Sequence, residues 1–285
     1  MNIAIVGYGK MGHMIKNAAE RLGHRIVLSA DPAAPDADVK PASATDTARA
    51  VKSSGAEGVI EFSRPSVAVE NMHSLLPLSI PLVVGTTGWT ESLQAVEKRA
   101  ADTGGALLYS SNFSIGVTMF YKIVSEAARL MKDCSDYDVA VWEAHHNQKA
   151  DSPSGTALEI ARRIMAEYTA KTKIVSDSFH RKPEENELSL ASTRCGSNPG
   201  EHTVFFDGQA DTIELTHRAR SREGFAFGAV RSLERFSSAL KTGTLQKGRV
   251  YTMQDLFLLR LPKTGYPAIG TTRHTGRLEK KDALL

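Results

Sequence analysis

Up to Asn112 the chain alternates short, wholly apolar runs with stretches whose apolar positions recur at helical spacing. "NIAIVG" near the start has the first character. Residues 11–22 have the second, with Met11, Ile15, Ala18, Ala19 and Leu22 in phase and Gly23 behind them as a C-cap. "RIVLSAD" (25–31), "GVIEFS" (58–63), "PLVVGTTG" (81–88) and "GALLYSS" (105–111) repeat the strand pattern, and helical stretches begin near Ser66 and Thr90. Strands apolar on both faces, with helices between them, predict a parallel sheet covered on both sides. Right-handed crossovers make such a sheet doubly wound.

Beyond Asn112 the pattern changes. A long amphipathic segment, "SIGVTMFYKIVSEAARLMKD", leads into the strand "YDVAVWEA", and residues 157–168 place Leu158, Ala161, Ile164, Met165 and Tyr168 on one helical face. "ELSLASTR", "HTVFFDG" and "DTIELTHRA" then follow without helices between them, which predicts a mainly antiparallel sheet. A helical period returns over 224–241, and "RVYTMQDLF" is expected to rejoin the first sheet. Residues 261–285, rich in Gly, Pro, Lys, Arg and Thr, read as a flexible tail.

Composition narrows the class without naming a function. The 285 residues are 41% hydrophobic and 24% charged, ordinary for a soluble globular chain able to bury one or two cores. A net charge of +3 gives no nucleic-acid signal but suits an anionic small ligand. With only Cys134 and Cys195, neither a disulfide framework nor a zinc cluster is indicated. No run approaches the roughly 18 apolar residues that cross a bilayer, and the start lacks a signal-peptide pattern, so the expected location is cytoplasmic.

Chemistry enters at the first turn. "GYGKMG" (7–12) fits G-x-G-x-x-G between a strand and a helix, where glycines admit a pyrophosphate to free N–H groups at the helix start. Asp31, ending the second strand, is placed to accept hydrogen bonds from an adenosine ribose. The fold class expected is therefore α/β, a Rossmann-type doubly wound parallel sheet with an inserted α+β substrate and oligomerisation domain. Its dinucleotide half spans 1–113 plus about 226–258, and the insertion 114–225. A carboxylate at 31 followed by Pro32 repels a 2′-phosphate, which predicts a modest preference for NADH over NADPH, with Lys10 and Lys40 as opposing charges. "GTTGW" (85–89) and "SSNF" (110–113) end two further strands, on the edge where such sheets bind ligands.

"EAHHNQKADSPSGTA" (143–157) is the densest polar stretch. Adjacent histidines in extended chain point to opposite faces, so His145 and His146 do not readily share a metal ion, and none is expected. Lys149 can give up a proton or pair with an anion. Ser154, Gly155 and Thr156 open the following helix and offer hydroxyl and backbone donors to a carboxylate. Together they form a dicarboxylate cradle beside a proton donor.

This stretch closely resembles the signature E-[LA]-H-H-x-x-K-x-D-A-P-S-G-T-A of the 4-hydroxy-tetrahydrodipicolinate reductase family, also called dihydrodipicolinate reductase. "GYGKMG", "GTTGW", "NFSIGV", "GEHTVFF", "IELTHRARSR" and "FAFGAVRS" occur in that family's order, so the resemblance runs from residue 1 to about 258. It implies NADH- or NADPH-dependent reduction of a cyclic imine dicarboxylate in diaminopimelate and lysine biosynthesis, by a homotetramer joined through its second sheet. By position, His145 resembles the family's catalytic-site histidine and Lys149 its proton donor, with His146, Gly155 and Thr156 as substrate contacts. The implied cofactor contacts are Gly7, Tyr8, Gly9, Lys10, Met11, Gly12, Asp31, Gly85, Thr86, Thr87, Ser110, Ser111, Asn112 and Phe113. The chain departs from the family where Lys10 replaces an arginine in a glycine loop one residue shorter, and where Ser152, Trp89 and "SSNF" replace alanine, phenylalanine and "APNF". Two rival functions remain to be distinguished: another two-domain dehydrogenase, which would need a catalytic cysteine or acid pair, and an NAD(H)-sensing regulator, which would bind without turnover.

Overall fold

In the computed structural model, which describes residues 1–257, alternation governs the first part of the chain. The order is β1 (Asn2–Val6), α1 (Lys10–Arg21), β2 (Arg25–Ala30), α2 (Ala44–Ser53), β3 (Gly58–Glu61), α3 (Pro65–Leu75), β4 (Leu82–Val84), α4 (Leu93–Thr103) and β5 (Leu107–Tyr109). The second part runs α5 (Ile115–Met131), β6 (Asp138–His145), α6 (Gly155–Glu167), β7 (Lys173–Val175), β8 (Glu187–Arg194), β9 (Glu201–Asp207) and β10 (Thr212–Arg218). The chain then forms α7 (Glu223–Lys241), β11 (Val250–Thr252) and α8 (Met253–Phe257).

The first sheet is wholly parallel, in the order β11-β5-β4-β3-β1-β2. Its central strands β1, β3 and β4 are buried on both faces, as their largely apolar character requires, while the edge strands β2 and β11 are partly exposed. One face packs Ile3, Ile5 and Ile60 against Ile15 and Ala19 of α1 and Ala229, Leu233 and Phe236 of α7. The other packs Val6, Val59 and Leu82 against Val51 of α2, Met72 of α3 and Val96 of α4. α1 ends as its sequence predicts: Gly23 takes φ +79 and donates its N–H to the Glu20 carbonyl. The stretch expected to rejoin this sheet does so, as β11 beside β5.

Two elements depart from the sequence pattern. α2 gives little apolar signal because it buries only Thr47, Ala48 and Val51; its start is fixed instead by Ser43, whose side chain accepts from the Asp46 N–H. The second sheet, expected to be mainly antiparallel, is mixed, in the order β10-β9-β6-β8-β7. β9 pairs antiparallel with both β10 and β6, whereas β6–β8 and β7–β8 are parallel. The parallel pairs arise because α6 and the 176–186 segment act as crossovers, returning β7 and β8 alongside β6 in the same direction. Leu188, Leu190, Val204 and Phe206 pack under α5 and α6. Both cysteines are free thiols and exposed. No helix among the described residues is long and apolar enough to cross a membrane. The tail expected over 261–285 lies outside those residues.

Candidate active site

Parallel strands bring all their carboxyl ends to one edge, so the loops after β1, β2, β3, β4 and β5 are neighbours. Gly7, Gly9, Asp31 and Arg64 line a cavity of about 400 Å³ there. Gly7 has φ +89, and a Cβ on it would lie 2.3 Å from the Phe62 carbonyl oxygen; one on Gly12 would lie 2.5 Å from the Gly7 oxygen. At Gly9 a Cβ would meet nothing within 4 Å, so this glycine leaves free space before the helix. α1 has no side-chain cap and no acid in its first turn, so its first N–H groups remain available to an anion. Lys10 is exposed at the first helical position, and Met11 packs partly into the core.

Asp31 is already engaged by the chain. Its carboxylate accepts from the N–H groups of Tyr8 (2.8 Å), Ala33 (2.8 Å) and Ala34 (3.1 Å). Burial alone would raise its pKa, but these bonds outweigh it and hold the carboxyl below the usual range. After β4, the bare Cα of Gly85 is covered by the Phe62 ring, which a Cβ would overlap. The Thr86 hydroxyl donates to buried Glu61 at 2.7 Å, and Thr87 is exposed. Phe113 is buried against Phe62.

A second, larger cleft of about 920 Å³ lies between the sheets. Ser110, Ser111 and Asn112 after β5 line it from the first sheet, and His145, His146, Lys149, Gly155 and Thr156 from the second. β6 register explains the histidine's surroundings. Glu143 and His145 alternate onto the same face; β9 sets His202 opposite Glu143, and β8 sets Arg194 opposite His145. The four side chains therefore cluster. Nδ1 of His145 lies against a Glu143 carboxylate oxygen, and Arg194 donates to the other at 2.8 Å. The His145 and His202 rings meet edge-on, 5.2 Å apart.

Glu143 is fully buried, yet it is held ionised. Burial pushes its pKa up; the His145 ring against it and the Arg194 hydrogen bond more than reverse this and bring it to about 2. Burial pushes His202 the opposite way, down to about 3, reinforced by the nearby His145. Glu143, His145 and His202 place ligand atoms within 4.8 Å of one another. A cation there would compete with the Arg194 guanidinium and the Ser154 N–H, which donates to Glu143 at 3.2 Å. That donor set suits a hydrogen-bond network rather than a metal.

α6 begins over this cluster. Ser154 caps it by accepting from the Ala157 N–H, and its hydroxyl lies 3.3 Å from His202 Nε2. A Cβ on Gly155 would meet nothing within 4 Å, so the helix start opens into the cleft. Asn112 reaches across from the first sheet to the Thr156 hydroxyl at 3.5 Å. The Lys149 ammonium donates to both Asp151 oxygens, at 2.7 and 2.9 Å, which lowers the Asp151 pKa. His146, just past the end of β6, lines the same cleft and bonds the Arg222 guanidinium at 3.2 Å. Lys149, Arg162 and Arg222 outnumber Asp151 and Glu159 in the cleft, which favours an anionic ligand.

The cleft thus gathers His145, His146, Lys149, Gly155, Thr156, Ser110, Ser111 and Asn112, while Gly7, Gly9 and Asp31 line the other cavity. Glu143, Arg194, His202 and Arg222 were not singled out from the sequence. Glu143 has a signal, its even spacing from His145; Arg194 and His202 become visible only once the order β9-β6-β8 is known.

The His202 shift sets an acid-stability expectation. Its folded pKa lies below the unfolded value of about 6.5, so the unfolded chain takes up the proton first and native stability falls as pH drops below 6.5. Buried Glu61, raised by desolvation, has the opposite sign. The wild type should therefore lose stability relative to His202→Gln between pH 6.5 and 4.5, followed by denaturant unfolding at each pH. A pH-independent gap would show that His202 titrates normally.

Comparison with known proteins bears on both halves. Residues 1–113 match the family model described as dihydrodipicolinate reductase, N-terminus, and residues 116–257 that described as dihydrodipicolinate reductase, C-terminus. A 4-hydroxy-tetrahydrodipicolinate reductase from Christiangramia forsetii is 35% identical over 256 residues, covering 90% of this chain and 97% of its own. One from Archaeoglobus fulgidus is 38% identical over 205 residues, 70% of this chain and 75% of its own. Dipicolinate-bound dihydrodipicolinate reductase from Paenisporosarcina sp. TG-14 superposes with a TM-score of 0.70 at 22% identity, over 90% of this chain and 98% of that one.

Proposed function

The chain belongs to the dihydrodipicolinate reductase family, and from that premise we propose that it reduces 4-hydroxy-tetrahydrodipicolinate, by way of dihydrodipicolinate, to tetrahydrodipicolinate in diaminopimelate and lysine biosynthesis. The observation that carries this is one cleft in which His145 and Lys149 meet the backbone N–H groups of Gly155 and Thr156 at the start of α6 and the loop after β5. A small dicarboxylate fits its positive balance, and the dipicolinate-bound relative has the same fold.

The residues present suit a pyridine nucleotide. The free N–H groups of α1 and the open space at Gly9 would hold its pyrophosphate, and Asp31, preset by three backbone bonds, would orient the ribose. When bound, the reduced nicotinamide supplies the hydride, to C4 of the cyclic imine. In the chain, Gly155 and Thr156 N–H groups hold a substrate carboxylate, and Lys149 Nζ gives a proton to the carbon beside the reduced centre or its enamine equivalent. His145 lies against the same substrate and His146 at its rim. Nucleotide and substrate contacts sit on different sheets, so approach of the sheets on binding would exclude water from the transfer.

The test couples the protein to the product of pyruvate and aspartate semialdehyde and follows cofactor absorbance; failure to oxidise either NADH or NADPH overturns the proposal. The same assay ranks the cofactors. Asp31 should disfavour a 2′-phosphate, although Arg64 shares its cavity, so kcat/KM is expected to be modestly higher with NADH. Equal or better kcat/KM with NADPH refutes that preference. The proposed division into a 1–113 plus 226–258 nucleotide half and a 114–225 half follows the two sheets. The sheet face turned from α5 and α6 carries half-buried Trp142 and Phe205, which supports a homotetramer joined there, and light scattering at monomer mass would exclude it.

A further inference from the structure

His145 is unusual among the cleft residues in having its ring gripped from below. Glu143 touches Nδ1, and Gly200, at φ +141, brings a bare Cα beside the other nitrogen; a Cβ there would lie 3.0 Å from Nε2. The groups facing the ring are Glu143 on β6, Arg194 on β8 and His202 on β9, with Lys149 and Asp151 in the loop above and His217 of β10 behind His202. The carboxylate does more than meet the histidine. It also accepts from Arg194 and from the Ser154 N–H at the cap of α6, while Arg194 reaches the Asp151 carbonyl at 2.5 Å. One buried carboxylate thus ties together the histidine, the start of the anion-binding helix and the loop carrying Lys149.

Building on the reductase activity proposed above, we propose that Glu143 is a positioning residue for the reduction: it fixes His145 with Nδ1–H turned inward and Nε2 left for the substrate, with Arg194 as its counter-charge. An imidazole has two ring nitrogens, and the hydrogen bond made by one decides what the other can do. A strand alone leaves the ring free to flip about χ2. The buried carboxylate removes that freedom, and Arg194 offsets the cost of burying its charge. Because the other oxygen of the same carboxylate accepts from the Ser154 N–H at the start of α6, one rigid group spaces the ring from the carboxylate cradle.

Two measurements on the full chain decide the matter. The first needs no turnover: 15N-histidine labelling, with the His145 signal assigned by its loss in His145→Gln, reports which nitrogen of the neutral ring is protonated. Protonation at Nδ1 is expected; a ring protonated at Nε2 overturns the proposal. The second is kinetic. Glu143→Gln keeps the shape and removes the charge, and kcat should fall roughly 10- to 100-fold, as for other supporting carboxylates, with the cofactor KM within about two-fold. Combined with His145→Gln, it should add clearly less than the loss it causes alone, because most of its effect passes through that ring. Wild-type kcat in Glu143→Gln, additive losses, or a cofactor KM that rises with the fall in kcat each overturn the proposal. If Glu143→Gln does not fold, the wild-type protonation site decides alone. A wild type without turnover but with Nδ1 protonated would refute the reductase activity and leave the positioning geometry standing.

Discussion

In Lys149→Ala, kcat for the reductase reaction should fall by ~10²–10⁴ while nucleotide binding is retained. Lys149 stands on the loop between β6 and α6, partly buried in the larger cleft, and its ammonium is held by both oxygens of Asp151. The pair fixes a charged donor near the start of α6, where a substrate carboxylate would lie. Truncation leaves the hydride route intact and removes the proton that must follow it. The loss should therefore appear in kcat, with nucleotide affinity, governed by the loops of the first sheet, unchanged. Arginine should not restore activity, because a guanidinium does not give up its proton in this pH range. Near-wild-type kcat in Lys149→Ala would remove it from the proton step and leave the fold and the family unaffected.

Legibility of the site tracks how local its geometry is. His145, His146, Lys149, Gly155 and Thr156 fall within one short stretch, so a strand end and a helix start suffice to place them together. Gly12 and Gly23 are equally local, answering to the Gly7 oxygen and to a helix-ending turn, whereas Gly7 joins a positive φ to the approach of Phe62 from the next strand. Arg194 and His202 are not. They reach Glu143 through ladders to β8 and β9, and strand order is a non-local property that the apolar pattern does not encode. The same gap made the second sheet look mainly antiparallel, since consecutive strands conceal crossovers made by α6 and an irregular segment. α2 was hidden for a different reason: small and polar residues fill its buried face, so the 3.6-residue period is faint. Sequence also mistakes the beneficiary of a small residue. Gly85 invites a ligand by its position after β4, yet within the chain its bareness accommodates the Phe62 ring.

That distinction separates two glycines of the first turn, and a paired substitution exposes it. Gly7→Ala places a methyl group 2.3 Å from the Phe62 carbonyl in a backbone conformation with φ +89. Backbone strain of this kind costs ~1–3 kcal/mol before the clash is counted, so Tm should drop clearly. Nucleotide affinity should fall with it, because the loop that carries Asp31's partner, the Tyr8 N–H, is displaced. Gly9 differs in both respects. Its φ of −78 and ψ of −158 are open to alanine, and a Cβ there meets nothing within 4 Å. Gly9→Ala should keep the wild-type Tm yet weaken NADH on the order of 10-fold, about 1.4 kcal/mol, because the methyl occupies the space through which a pyrophosphate would approach the α1 N–H groups. Thermal unfolding and fluorescence titration of NADH on the two variants give four numbers. Loss of both quantities at Gly7 and of affinity alone at Gly9 is the expected pattern. Wild-type affinity in Gly9→Ala would move the pyrophosphate off the start of α1, and with it the proposed role of Asp31 toward the ribose.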